Sequence, residues 1–178
     1  MRRFVLTGAP GSGKTAILRH LELDGFGVVE EAATDVIAAE QARGNDEPWT
    51  DASFLSSVAW LQAQRLMRAS HQPDEIQFHD RSAVCTAALA VYLGYPVPPV
   101  LATDLERIQD EGIYQKQVFF IRNQGFVTPS DARRINFEET LRFEKIHEEV
   151  YRDFGFELVD VAKGSVLERV RAVKAAVR

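Results

Sequence analysis

Cysteine is almost missing from this 178-residue chain, which has only Cys85. A single thiol excludes an internal disulfide and a cysteine-based metal site. No apolar run approaches the roughly 20 residues that a membrane helix needs, so no membrane partner is expected. After Met1-Arg2-Arg3 only three apolar residues precede Thr7-Gly8, which is not a secretory signal pattern. Positive charge is also short. Lys plus Arg is 21 against 26 for Asp plus Glu, a net charge of −5. That balance speaks against sequence-independent nucleic-acid binding, which needs many phosphate contacts. There are no internal repeats and no low-complexity linker. At 46% hydrophobic residues the chain carries enough for a core and is not of the disordered class. The expectation is one cytoplasmic domain over 1–178, a monomer or homodimer acting on a small molecule.

Glycine is present and unevenly placed. Three of the eleven, Gly8, Gly11 and Gly13, fall within six residues. Gly8, Ala9, Pro10, Gly11, Ser12, Gly13, Lys14 and Thr15 together fit G-x-x-x-x-G-K-[ST], the phosphate-binding loop. The glycines tolerate positive φ and carry no side chain, so successive N–H groups can turn inward around a phosphate. Phe4-Val5-Leu6 reads as a buried strand. The stretch after the loop reads as an amphipathic helix starting near Gly13, whose N-terminal dipole favours an anion. Lys14 is placed to reach the β- and γ-phosphates, and the Thr15 hydroxyl is placed as a ligand for Mg²⁺.

Strand patterns fall at 4–7, 26–30, 75–79, 117–121 and 156–160. Helix patterns fall at 14–23, 31–43, 51–70, 82–93, 101–111, 137–154 and 164–177. The helix ending at Phe154 shows an apolar stripe of Phe143, Ile146, Val150, Tyr151 and Phe154. Alternation of strand and helical stretches predicts an α/β fold: a mostly parallel sheet with helices on both faces. Residues 44–48 and 122–134 read as loops.

Ligands of open α/β sheets bind beyond the carboxyl ends of the strands. Glu30-Glu31 follow the second strand. One or both acids can orient or deprotonate an attacking hydroxyl, or instead satisfy the following helix dipole. Asp80-Arg81-Ser82 follow the third strand. Asp80 suits a carboxylate that holds Mg²⁺ directly or through water, and also suits a helix cap. Arg81 can pair with Glu31 or clamp a substrate oxygen. Arg133 and Arg134 lie after the fourth strand, where they can close over a triphosphate. His79 is expected to border the site, and His20, His71 and His147 to be surface or core residues. Cys85 reads as a buried structural thiol, and Trp49, Phe54 and Trp60 as core or, alternatively, as the lining of a planar pocket.

These landmarks resemble the small P-loop kinases of nucleosides and nucleotides. In deoxynucleoside kinases a Glu after the second strand is the catalytic base, and a Glu- or Asp-Arg-Ser motif follows the third. Val28-Val29-Glu30-Glu31-Ala32 looks like the first segment with Glu31 at the base position, and Asp80-Arg81-Ser82 matches the second. Ala32 stands where those kinases have Pro. Arg133-Arg134 before Phe137-Glu138-Glu139 looks like their arginine-bearing lid, with adjacent rather than spaced arginines. Over nearly its full length the chain also resembles the AAA_28-type P-loop ATPases, which are similar to the kinase part of bacterial ribosylnicotinamide kinases. The shared landmarks are Gly8–Thr15, Glu31-Ala32-Ala33, Asp80-Arg81 and Arg133-Arg134.

The resemblance implies a three-layer P-loop NTPase fold with a lid over 122–136, ATP and Mg²⁺ as cofactors, and phosphoryl transfer to a hydroxyl or phosphate of a small molecule. Lys14, Glu31, Asp80, Arg81, Arg133 and Arg134 would then form the catalytic set. The alternative is a nucleotide-dependent switch with a protein partner, for which the chain has no N-K-x-D signature.

Overall fold

The computed structural model describes residues 1–124 and 137–177. Five strands form one sheet: β1 (Arg2–Thr7), β2 (Gly27–Val29), β3 (Ile76–Asp80), β4 (Gln117–Ile121) and β5 (Glu157–Val161). Their order is β2-β3-β1-β4-β5 and every pairing is parallel. The helices are α1 (Lys14–Leu23), α2 (Ala33–Ala42), α3 (Ser53–Ala69), α4 (Ala83–Leu93), α5 (Pro99–Asp110), α6 (Phe137–Asp153) and α7 (Val166–Ala176). A short 3-10 turn, Pro48–Thr50, follows α2. The expected sequence of elements is therefore present. α5 starts two residues earlier than its apolar pattern suggests, because Pro99 at the first helical position has its φ preset and no N–H to lose.

A parallel sheet needs cover on both faces. In β1 the side chains alternate between them. Phe4 and Leu6 pack with Phe78 and Phe119 against Ile17, Leu18 and Leu21 of α1 and Val170 and Val173 of α7. Val5 and Val118 face the other way, against Leu66, Val84, Leu101 and Tyr151 of α3 to α6. A third cluster joins α2 to α3 through Ile37, Phe54 and Val58. The apolar stripe of α6 is rotated from the expected one. Thr140, Phe143, Glu144, His147 and Tyr151 are buried, whereas Ile146 and Val150 are only partly so. Three buried polar side chains, Thr140, Glu144 and His147, thus lie on the core face of α6, while Ile146 and Val150 are turned partly away from it.

The sheet register builds the site. Leu6 of β1 lies opposite Asp80 of β3, and the Arg81 N–H donates to the Leu6 carbonyl at 3.0 Å. The loops leaving β1 and β3 are therefore side by side. Gly8 leaves β1 at φ 133°, and a Cβ there would collide with the Ile121 carbonyl oxygen of β4. Gly8→Ala is expected to cost more than about 1 kcal/mol in denaturant unfolding, since neither the backbone conformation nor the space suits a methyl group. An unchanged midpoint would show that the loop can move off β4. Among the described residues no helix is long and apolar enough to cross a membrane.

Candidate active site

The turn from β1 into α1 is the phosphate-binding loop. Gly11 and Gly13 adopt φ 80° and 88°. Gly13 is the N-cap of α1 and supplies no side-chain cap, so the first-turn N–H groups are left for an anion. Lys14 is buried, and its Nζ donates to the Gly8 and Ala9 carbonyls at 3.1 and 2.9 Å and to Ser12 Oγ at 3.3 Å. Burial, and then the Arg81 charge, pull its pKa down to about 7. Thr15 Oγ1 donates to Asp80 Oδ2 at 3.4 Å, which brings both expected metal ligands together.

Asp80 is the last residue of β3, not a helix cap: Ser82 precedes α4, and no side-chain cap bond forms there. Asp80 Oδ1 is buried without a hydrogen-bond partner among the described residues. Burial raises the Asp80 pKa, against the pull of Lys14 and Arg81. These are hard oxygen donors, and no cluster of three His, Cys, Asp or Glu exists among the described residues. That donor set fits Mg²⁺, which keeps waters and phosphate oxygens and needs one or two protein ligands.

The two acids after β2 separate. Glu30 turns out to solvent and pairs with Arg19. The Glu31 carboxylate accepts from the Ala33 and Thr34 N–H groups at 3.1 and 3.0 Å, opening α2, and its Oε1 lies 3.7 Å from Arg81 Nε. It therefore serves the N-terminus of α2, one of the two roles the sequence left open, and pairs with Arg81. Burial works to raise the Glu31 pKa, but Arg81, the Thr34 donors and Lys14 outweigh it and hold the carboxyl below its usual range. Arg81 adopts φ 72°, a left-handed conformation that costs a side chain of this size roughly 1–2 kcal/mol. The turn directs its guanidinium to Glu31 on one side and over the Phe143 ring, 5.7 Å from its centroid, on the other.

A cavity of about 410 Å³ opens at the loop, and its lining includes Lys14, Thr15, Asp80, Arg81 and Glu31. Much of the remaining lining is apolar and aromatic, with Trp49, Phe54, Val58, Leu89, Tyr92 and Phe143. Trp49 and Phe54 thus line the cavity rather than only the core. Trp60 is neither core nor cavity wall; it is 59% exposed on the outer face of α3. Gln62 is held at both ends: Thr86 Oγ1 donates to its Oε1 at 2.8 Å, and its Nε2 donates to the Ser82 carbonyl at 3.2 Å. His79 does not border the site. Residues alternate along β3, so its ring points to the opposite sheet face from Phe78 and packs edge-on to Tyr114. Burial depresses its pKa to about 3. Arg133 and Arg134 lie outside the described residues. Of the expected lid segment only Arg122, Asn123 and Gln124 lie within them, and Arg122 is tied to Glu148 and, at 2.7 Å, to Asp160.

Several supporting residues carry no motif. Arg65 of α3 donates to the Glu30 and Glu31 carbonyls and pairs with Asp35, which fixes the turn that presents Glu31. Tyr151 OH lies 2.8 Å from Ser82 Oγ and 3.0 Å from Cys85 Sγ, and Cys85 in turn lies 3.3 Å from Thr7 Oγ1. Cys85, on the cavity wall, is thereby part of a polar network joining β1, α4 and α6. His147 packs on Phe143 and is kept neutral by burial and by the Arg81 charge. Arg169 of α7 donates to the Ser12 carbonyl at 2.7 Å. For Arg169 a sequence signal exists: it falls on the apolar stripe Val166, Val170, Val173 and Val177, where a charge needs a buried partner.

Parallel five-stranded sheet, phosphate loop and flanking helices together define a P-loop NTPase fold of the nucleoside- and nucleotide-kinase type. The AAA domain family AAA_28 matches residues 3–169, and the chain belongs to that family. No curated protein matches. Among solved structures, a deoxyadenosine kinase from M. mycoides with dCMP and dCDP bound superposes with a TM-score of 0.66 at 14% identity, over 98% of both chains. The NadR protein in complex with NAD and AMP-PNP gives 0.69 at 18% identity, over 98% of this chain and 48% of NadR. NadR in complex with NR gives 0.65 at 19%, over 98% and 50%. The chain thus spans about half the length of NadR. At these identities the likeness is one of fold.

Proposed function

We propose that the protein transfers the γ-phosphoryl group of ATP, bound with Mg²⁺, to a hydroxyl of a small molecule. The observation that carries this reading is the shared cavity: the Glu31 carboxylate and the phosphate loop open into one space, with Arg81 between them. A hydrolase that uses water needs no apolar chamber beyond its base. This cavity has one, and it suits a flat or apolar acceptor body with its hydroxyl turned toward Glu31.

In this reading the loop N–H groups and Lys14 hold the β- and γ-phosphates. Thr15 and Asp80 would hold Mg²⁺, which when bound neutralises charge on the transferred group. Glu31 orients the acceptor hydroxyl and accepts its proton. A carboxylate held below its ordinary pKa is a weak base, which suits a loose transition state in which the hydroxyl proton leaves late. Arg81, already beside Glu31, would meet the charge on the transferred oxygens, and Arg133 and Arg134 would close from the lid. Most of the catalysis is then positioning and charge neutralisation.

The test uses γ-labelled ATP with nucleosides, nucleotides, sugars, aminoglycosides and a metabolite extract. Transfer of label to an acceptor supports the reading. Binding of ATP with no labelled acceptor, and with only slow release of phosphate stimulated by a protein partner, would replace it with the switch reading.

A further inference from the structure

The phosphate loop is gripped from behind by a residue 157 positions away in the chain. Arg169 of α7 is 2% exposed. Its Nη1 donates to the Ser12 carbonyl at 2.7 Å and its Nη2 to the Arg122 carbonyl at the end of β4 at 3.0 Å. Its Nε is buried without a partner among the described residues. No described carboxylate forms an ion pair with it, and no neighbouring charge raises its pKa against burial. It also sits on the open side of Gly13: a Cβ at that glycine would come within 3.0 Å of Nη1.

We infer that Arg169 is a positioning residue of the nucleotide subsite, which sets the phosphate loop and adds a positive charge behind it for a bound polyphosphate to offset. The inference rests on the reading of Gly8–Thr15 as a phosphate site. Two physical points carry it. First, C=O and N–H of a trans peptide point in opposite directions. A Ser12 carbonyl held toward α7 therefore turns the Gly13 N–H away from α7, and Gly13 caps a helix that has no side-chain cap. Second, a buried guanidinium answered, among the described residues, only by carbonyls carries a desolvation cost that they do not offset. A polyanion in the loop lowers that cost, so the charge destabilises the nucleotide-free protein and favours the bound one. A purely structural arginine would instead be closed by a carboxylate, as Arg122 is by Glu148 and Asp160.

The test measures binding of ATP·Mg²⁺ and of inorganic tripolyphosphate by calorimetry, and melting temperature with and without each. It uses the wild type, Arg169→Met, Arg169→Lys and Lys14→Ala. For Arg169→Met we expect roughly tenfold or greater weakening of both ligands. Its melting temperature without ligand should be unchanged or higher, so the ligand-induced rise shrinks. Arg169→Lys keeps the charge but loses the two-pronged grip, and should bind with intermediate affinity. Should the methionine variant fail to fold, the lysine variant decides the matter. Wild-type affinity in either folded variant, together with lost binding in Lys14→Ala, overturns this inference and leaves the loop reading standing. Absence of tripolyphosphate and ATP binding in the wild type overturns both.

Discussion

Replacing Lys14 with alanine is expected to weaken binding of ATP·Mg²⁺ at least 100-fold, because two charge-assisted hydrogen bonds to phosphate are lost at once. The same residue makes that affinity depend on pH. In the folded protein its pKa is about 7, against 10.5 for an ordinary lysine. A bound polyphosphate favours the ammonium, so above pH 7 binding must take up a proton. Affinity should fall by up to tenfold per pH unit between pH 7 and the pKa of the bound form. Calorimetry in buffers of different ionisation enthalpy would register up to one proton taken up at pH 8.5. Folding moves the opposite way. Between about pH 7 and 10.5 the unfolded chain holds a proton on Lys14 that the folded chain does not, so this group's contribution to stability rises with pH across that window. Below pH 7 both states are protonated and the slope from this group vanishes. Lys14→Ala should abolish both trends. Nucleotide affinity that stays flat from pH 7 to 9 in the wild type would contradict the assignment of this ammonium to the phosphates.

Glu31→Gln is expected to slow phosphoryl transfer by about 10²- to 10⁴-fold, the range for loss of a positioned proton acceptor. Nucleotide affinity should stay within a few-fold, because Glu31 makes its hydrogen bonds to the start of α2 and acts on Lys14 only through charge. The amide oxygen of glutamine can still accept from the Thr34 N–H, but the Ala33 N–H, which Glu31 serves with its other oxygen, would face the NH2 group. Single-turnover transfer and equilibrium ATP binding separate the two effects. Unchanged transfer in the variant would remove Glu31 from the reaction. Loss of nucleotide binding in step with activity would instead make it a residue that organises the loop.

The phosphate loop was legible in the sequence because its chemistry is local. The eight residues from Gly8 to Thr15 carry their own backbone permissions, and the strand before them and helix after them follow from short-range periodicity. Asp80 and Arg81 were legible by one further step, since a parallel sheet puts strand ends on a common edge. The choice of Glu31 over Glu30 came only from the family resemblance, not from the residues themselves. Adjacent residues leaving a strand point in different directions, and here Arg65 and the Thr34 N–H fix which one turns inward. Trp49 and Trp60 likewise look alike in the sequence. One falls in a 3-10 turn against the cavity, and the other on the solvent face of α3. His147, which reads as a surface or core residue, stays undecided in the sequence for a different reason. Apolar periodicity assigns the α6 core face to Ile146 and Val150, and cannot anticipate that a neutral histidine stacks against Phe143 in their place.

Scarce cysteine, net negative charge and the lack of a long apolar run narrowed the class of protein, and one glycine cluster fixed where a phosphate would sit. Those properties depend on composition and on neighbours along the chain. Only the tertiary structure decided which carboxylate meets Arg81, which aromatics wall the cavity, and that Arg169 reaches the loop from the last helix. Each of these contacts joins residues far apart in sequence, and it exists only because the strand order β2-β3-β1-β4-β5 and the helices packed on both faces bring them to one edge of the sheet.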